Sequence, residues 1–498
     1  MYVAYIIVPI LLIAVVLAAV WLERWSVPVI LVALGLGIVF GSDVLKLLEF
    51  HDFVLTNQVA NLALVFILFQ GGFSTSLENF RAVALPAGGL ATWGVALTAL
   101  VLFACLRFGL GWPLELSVLL AVIISSTDAA AIFSILRRQS LPQRLASTVE
   151  IESAANDPMA ILLTTVAITA FTSGEALGWG TVLSFFWKFG MGPVFGRFFG
   201  LAALWLFNRL QPQDRGYYYV LFLGFVLLTY GVAETAQASG MLACFTAGFT
   251  MGNRPFVHKQ GVQNFSEAVS TIANIGMFAL MGLLVSPSEW KDLWWQGTLL
   301  FLLLTFVARP AAVFIGTVGM RLPFKYRLFA AWAGLRGSVP IVLATYPAAA
   351  GLEIGRQIFS LVFFAVLLSI IVQGSTLGTV AKWLRLSEPS RPKPLVALEL
   401  VTMAPSDYDL VVVDLPDPKG AKGPRIRDLD LPEGAVIALI TRGSEVVLPK
   451  GDTRLLGWDR VTVLAHAPDE AAVRRALLEP FEKNEEGREE SLHPAREA

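Results

Sequence analysis

The placement of charge limits most severely what this chain can fold into. Of its 75 Asp, Glu, Lys and Arg residues, 39 fall in the first 386 positions and 36 in the remaining 112. A soluble chain carries about one charge in four throughout. Here the ratio is roughly one in ten up to Leu386 and one in three beyond it. With 56% apolar residues overall, residues 1–386 read as a polytopic membrane part and the rest as a small water-soluble part. Residues 387–398, rich in Pro and charge, read as a linker, 399–480 as a small folded domain, and 481–498 as a disordered tail.

A helix crosses the hydrocarbon core with about 20 apolar residues, because every backbone polar group must be satisfied within it. Apolar runs between polar or Gly/Pro breaks predict about thirteen transmembrane helices, approximately 3–22, 26–41, 58–73, 83–107, 115–135, 149–173, 181–209, 217–237, 239–252, 267–286, 294–320, 327–349 and 357–383. The first lacks a basic leader and a small-residue cleavage site, so it is expected to stay in the mature protein. With the N-terminus outside, 14 Lys and Arg residues mark the cytoplasmic ends and 4 the opposite ends. That asymmetry predicts a soluble C-terminal domain in the cytoplasm. A net charge of −1 excludes a nucleic-acid binder driven by gross basicity, and two cysteines in apolar stretches offer neither a disulfide framework nor a metal site.

Ionisable residues deep in a span are costly unless paired or wet, which makes them functional candidates. The fifth span holds Thr127-Asp128. The sixth holds Glu152-Ser153 and Asn156-Asp157-Pro158, with the first four residues within an arc of about 140° on one helix face. Pro158 removes a helical hydrogen bond at that face. In the twelfth, Gly334-Leu335-Arg336-Gly337-Ser338-Val339-Pro340 predicts an unwound segment, tolerated at membrane depth where it is buried in protein or lines a cavity. With the seventh span as a linker, the fold reads as an all-α polytopic membrane protein of two inverted six-helix repeats, its interrupted helices crossing at the midplane. No histidine lies deep in a span, so a proton crossing the membrane must ride on a carboxylate, and Asp157 is the natural carrier. Ionised, it is a hard oxygen ligand for an alkali cation; protonated, it is not. Competition of cation and proton for one carboxylate is the simplest antiport mechanism.

These motifs, in this order, resemble the bacterial monovalent cation/proton antiporters of the first cation-proton antiporter family, the NhaP type, over roughly residues 1–385. Within it, Ser153 to Ala160 and the Thr127-Asp128-Ala129-Ala130-Ala131 run look closest to the potassium/proton subgroup. The resemblance implies a homodimer in the bacterial inner (plasma) membrane with an elevator-like mobile core, Asp157 as the ion and proton carboxylate, and Thr127, Asp128, Ser153 and Glu152 helping to bind the cation. Asn156 resembles the electroneutral members, and Arg336 is implied to balance charge by pairing with an acidic core residue. K⁺ is favoured over Na⁺ as the transported ion, and no cofactor is called for. A regulated channel would want a filter loop, and an intramembrane aspartyl protease a Gly-x-Gly-Asp sequence; neither is present.

In the soluble part, 409–414, 435–440, 444–448 and 459–464 read as strands and 468–478 as a helix, a small α+β domain. The run from Ile426 to Leu464 resembles the C-terminal lobe of potassium-conductance regulator domains. That implies control of flux by a small cytosolic ligand or by dimerisation.

Overall fold

The computed structural model describes residues 2–22, 27–48, 50–128, 141–173, 179–210, 214–320, 322–386, 408–416, 422–443 and 445–492. The chain divides into two compact units, a helical one within residues 1–388 and a smaller one carrying residues 389–498. The expected linker, 387–398, and Ala129 to Ala131 lie outside the described residues.

The helical unit contains α1 (Tyr2–Leu22), α2 (Val29–Phe40), α3 (Phe53–Ser74), α4 (Leu77–Gly109), α5 (Leu114–Ile123), α6 (Gln143–Ser173), α7 (Trp179–Arg209), α8 (Gly216–Thr235), α9 (Gly240–Gly252), α10 (Lys259–Leu284), α11 (Trp290–Gly316), α12 (Phe324–Trp332), α13 (Ser338–Ala349) and α14 (Gly355–Trp383). Eight of these, α3, α4, α6, α7, α8, α10, α11 and α14, are long and apolar enough to cross a bilayer; the apolar parts of α1, α2, α5, α9 and α13 are shorter. Each expected segment overlaps at least one helix, and the twelfth, 327–349, overlaps both α12 and α13. Side-chain caps set several starts: Asp52 accepts from Leu55 N at 2.9 Å before α3, and Ser76 from Asn79 N at 3.1 Å before α4.

Three irregularities shape the interior. α5 stops at Ile123, and residues 124–128 leave the helix. Residues 333–337 separate α12 from α13, as the Gly-x-x-Gly run predicts. In α11 a wide turn at Leu304–Ala308 precedes Pro310, which has no N–H to give to the Phe306 carbonyl. At Pro158, by contrast, α6 continues without interruption, since one missing hydrogen bond does not break a helix of 31 residues that packed neighbours hold.

Close helix approach depends on small residues. A Cβ on Gly72 of α3 would run into the Phe245 carbonyl of α9, and one on Gly248 of α9 into the Phe69 carbonyl of α3. Neighbouring Gly71 faces open space, so only one glycine of that pair serves the packing.

The smaller unit holds β1 (Tyr408–Asp414), β2 (Lys422–Arg425), β3 (Val436–Arg442), β4 (Glu445–Val447), β5 (Arg454–Leu456), β6 (Arg460–His466) and α15 (Glu470–Leu492). An antiparallel sheet of order β1-β6-β3-β4 lies beside a two-stranded β2-β5 pair. Val411, Val413, Ile440, Val461 and Val463 alternate inward along the strands and pack with Val473, Leu477 and Phe481 of α15. Asp459 is buried; it accepts from Arg442 Nε and Nη2 and from Leu456 N, each at 2.8 Å. That carboxylate holds the Arg442 guanidinium above its ordinary pKa. β2 and β5 were not expected, being short and, in β2, built on Gly423-Pro424. α15 runs on to Leu492 where a disordered tail from residue 481 was expected; Glu, Lys and Arg, which dominate that stretch, are good helix formers despite their charge.

Candidate functional site

The polar residues of the fifth, sixth and twelfth segments meet where two non-helical stretches cross. Asp128 N donates to Leu335 O at 2.9 Å, and Ser338 N, at the start of α13, donates to Asp128 Oδ2 at 2.9 Å. In return Arg336 Nη1 donates to Ser125 O at 2.7 Å and to Ser126 O. Backbone groups that the breaks release are thus satisfied by the other break, as an interior without water requires. A positive helix end and a carboxylate sit together, and a guanidinium neutralises the carbonyl end of α5.

The two glycines flanking Leu335-Arg336 make room for this. A Cβ on Gly337 would fall on the Asp128 carboxylate, and one on Gly334 would meet the Arg309 side chain. The unwound backbone is also held from α14. Ser369 Oγ accepts from Arg336 N at 3.1 Å and donates to Gln373 Oε1 at 2.5 Å, while Gln373 Nε2 donates to Trp332 O at 3.0 Å.

On α6, Ser153 and Asn156 face Thr127. The Thr127 and Ser153 hydroxyls are 2.8 Å apart, Asn156 Nδ2 donates to Thr127 Oγ1 at 2.6 Å, and Thr127 N donates to Asn156 Oδ1 at 3.3 Å. Thr127, Ser153 and Asn156 are fully buried. Asp157 follows directly, 7% exposed, with Oδ1 buried and without a hydrogen-bond partner. Asp128 and Arg336 are within electrostatic range of it. An ionised oxygen left unsatisfied in such a place is costly, which leaves Asp157 to take up a proton or a cation.

Glu152 lies elsewhere than expected. Its Oε1 accepts from Arg309 Nη1 at 2.6 Å, with both side chains buried, and Arg309 Nη2 donates to Ala330 O at 3.1 Å. Arg336, implied to pair with an acidic residue, donates to main-chain carbonyls; the buried ion pair seen here among the described residues is Arg309–Glu152. Sequence reasoning did not bring out Arg309 or the Ser369 and Gln373 pair as site residues; the signal for the first is a charge inside an apolar run, and for the other two their spacing of four on one face of a 29-residue helix. Among the described residues no three His, Cys, Asp or Glu side chains gather to hold a metal ion.

Residues 10–383 match the family described as sodium/hydrogen exchanger, transmembrane, and residues 410–478 the TrkA-C domain. A K(+)/H(+) antiporter NhaP2 of Shewanella sp. (strain ANA-3) is 36% identical over 451 residues, covering 89% of this chain and 77% of that protein. A K(+)/H(+) antiporter NhaP of Alkalimonas amylolytica is 32% identical over 453 residues, 90% of this chain and 78% of that protein. The Na(+)/H(+) antiporter NhaH of Halobacillus dabanensis is 28% identical over 371 residues, 70% of this chain and 89% of that protein. Among solved structures, the sodium proton antiporter MjNhaP1 of Methanocaldococcus jannaschii matches with a TM-score of 0.67 at 23% identity, covering 77% of this chain and 99% of that one. That last likeness is one of fold.

Proposed function

Because the chain belongs to the sodium/hydrogen exchanger family, with a TrkA-C domain after its membrane part, we propose that it is a cation/proton antiporter that exchanges K⁺ for H⁺ through Asp157. The observation that carries this reading is the buried Asp157 oxygen without a partner, beside hydroxyls and a crossing of interrupted segments. Deprotonated, Asp157 attracts a dehydrated monovalent cation, to which Thr127 and Ser153 offer neutral oxygen. Protonated, it releases the cation and crosses as a neutral group. Asp128, held by the Ser338 amide, adds a second carboxylate within electrostatic range of Asp157.

Asn156 supports one-for-one exchange. An amide does not titrate, and this one is bonded to Thr127, so of the Asn156-Asp157 pair only Asp157 can change protonation. One proton against one cation moves no net charge. The tied Asp128–Arg336 crossing supports a core that moves as a unit, in an elevator-like step within a homodimer in the inner membrane. Relatives named for K⁺ favour that ion over Na⁺, and the TrkA-C match supports control of flux by a small cytosolic ligand. In everted vesicles, adding K⁺ should dissipate an imposed pH gradient, and Asp157→Asn and Asp157→Ala should abolish the effect. Retained exchange in a well-inserted Asp157→Ala protein would refute the mechanism. Dissipation by Na⁺ alone would assign the other ion.

A further inference from the structure

α3 and α13 are joined by a hydrogen-bonded relay that plays no part in the ion site. Asn57 Nδ2 donates to Thr345 Oγ1 at 3.1 Å, Asn61 Nδ2 to Asn57 Oδ1 at 2.9 Å, and the Tyr346 hydroxyl to Asn61 Oδ1. Thr345 is fully buried, and its hydroxyl donates to Val342 O at 2.7 Å. Two amides, a phenol and a hydroxyl in apolar helices are expensive to place, and here they are spent on one another.

The relay sits at a telling point along α13. The first residue of that helix, Ser338, holds Asp128. Tyr346 lies eight residues on, about 12 Å along the axis at 1.5 Å per residue. Residues 350–354 then turn into α14, whose 29 residues run back across the membrane to Trp383. One end of α13 therefore closes on the ion site, and the other is tied to α3 on the membrane face opposite Trp383. Any step that carries Asp128 and α13 past α3 must break the relay.

We infer that Tyr346, Asn61, Asn57 and Thr345 form the outer latch of the exchanger: bonded as here, they keep the site shut from the face opposite Trp383, and they part when the site opens to that face. The inference rests on the antiport reading in one respect, that a site changes access. A polar latch suits a gate because each bond lost is replaced by one to entering water. The net preference for the shut state is then only about two- to tenfold per bond, small enough for ion binding to reverse.

The test uses the full chain with Cys105→Ser and Cys244→Ser, carrying Ile341→Cys. Ile341 is buried on α13, four residues before Thr345 and on the same face, between the relay and the site. A membrane-impermeant maleimide added to the outer face of right-side-out vesicles should label this cysteine slowly. Tyr346→Phe, which removes only the donor, should raise the rate about two- to tenfold, and Asn61→Ala at least as much. Labelling from the inner face should not rise. Unchanged outer labelling in both variants, or equal acceleration from both faces, overturns the latch. This readout needs no transport, so failure of the antiport reading would show separately, as absent exchange in the wild-type chain. A second measurement joins Asn57→Cys to Thr345→Cys with a short, reducible bifunctional thiol reagent. Exchange should stop and return on reduction; full-rate exchange by the cross-linked protein overturns the latch as well.

Discussion

Replacing Glu152 by Gln leaves an oxygen for Arg309 to donate to and removes only the charge. The two side chains are 4% and 0% exposed and 2.6 Å apart. Arg309 Nε has no partner and Nη2 is bound to a neutral carbonyl, so among the described residues no other group is bonded to take up the positive charge when Glu152 loses its own. Breaking a buried pair from one side costs about 3–5 kcal/mol, because the remaining ion keeps its desolvation penalty without its attraction. Glu152→Gln and Arg309→Met should each lose that much. The double variant, with no charge left to bury, should lie within about 2 kcal/mol of the wild type. Apparent melting of detergent-purified protein, followed by fluorescence size-exclusion after heating, gives the three shifts. K⁺-dependent proton movement in vesicles, measured alongside, should show a cation KM little changed in the single Glu152→Gln variant. Wild-type stability of Glu152→Gln together with a tenfold or larger rise in cation KM would refute the reasoning and place Glu152 on the ion. Simple additivity of the two single losses would also refute it.

The other predictions follow from single contacts. Gly337→Ala puts a methyl group on the Asp128 carboxylate and should abolish exchange in inserted protein; a wild-type rate would show that Asp128 has no fixed position. Asn156→Asp removes the donor to Thr127 and adds a second carboxylate, and should make exchange respond to an imposed membrane voltage. In the unmodified chain the steady-state ion ratio should ignore that voltage, and a voltage-driven ratio would contradict the one-for-one reading. Ser369→Ala takes away the acceptor for Arg336 N and should cost about 1–2 kcal/mol of apparent stability, with unchanged melting as the contrary result. Arg442→Ala leaves buried Asp459 with only the Leu456 amide; it should cost about 2 kcal/mol, allowing for the partial exposure of Arg442, and speed limited proteolysis beyond residue 408.

The membrane segments and their two interruptions could be read directly, because a bilayer imposes a length and forbids unsatisfied backbone. Asp128, Asp157 and Arg336 stood out for the same reason. What each of them touches could not be read. Glu152 and Asp157 share one face of α6, yet the first turns to an arginine 157 residues away and the second keeps an open oxygen. Helical periodicity assigns a face to a residue and leaves its neighbours across that face undetermined. The resemblance implied a carboxylate partner for Arg336, but the carbonyls freed by the break after α5 take its donors. β2 escaped notice because Gly and Pro within four residues argue against a strand, and its pairing with β5 comes from the chain folding back on itself.

The reciprocal bonding of the two interruptions also sets an order of events during synthesis. The partners of Ser126 O and Asp128 are 210 residues downstream. At about 5–20 residues per second, they emerge roughly 10–40 s after the fifth segment has left the ribosome. For that interval the carbonyls at the loose end of α5 lack the Arg336 guanidinium that neutralises them in the folded chain. A ribosome stalled between the two crossings would hold a chain whose first interruption still lacks the bonds of the second, a form that quality-control proteases should find readily.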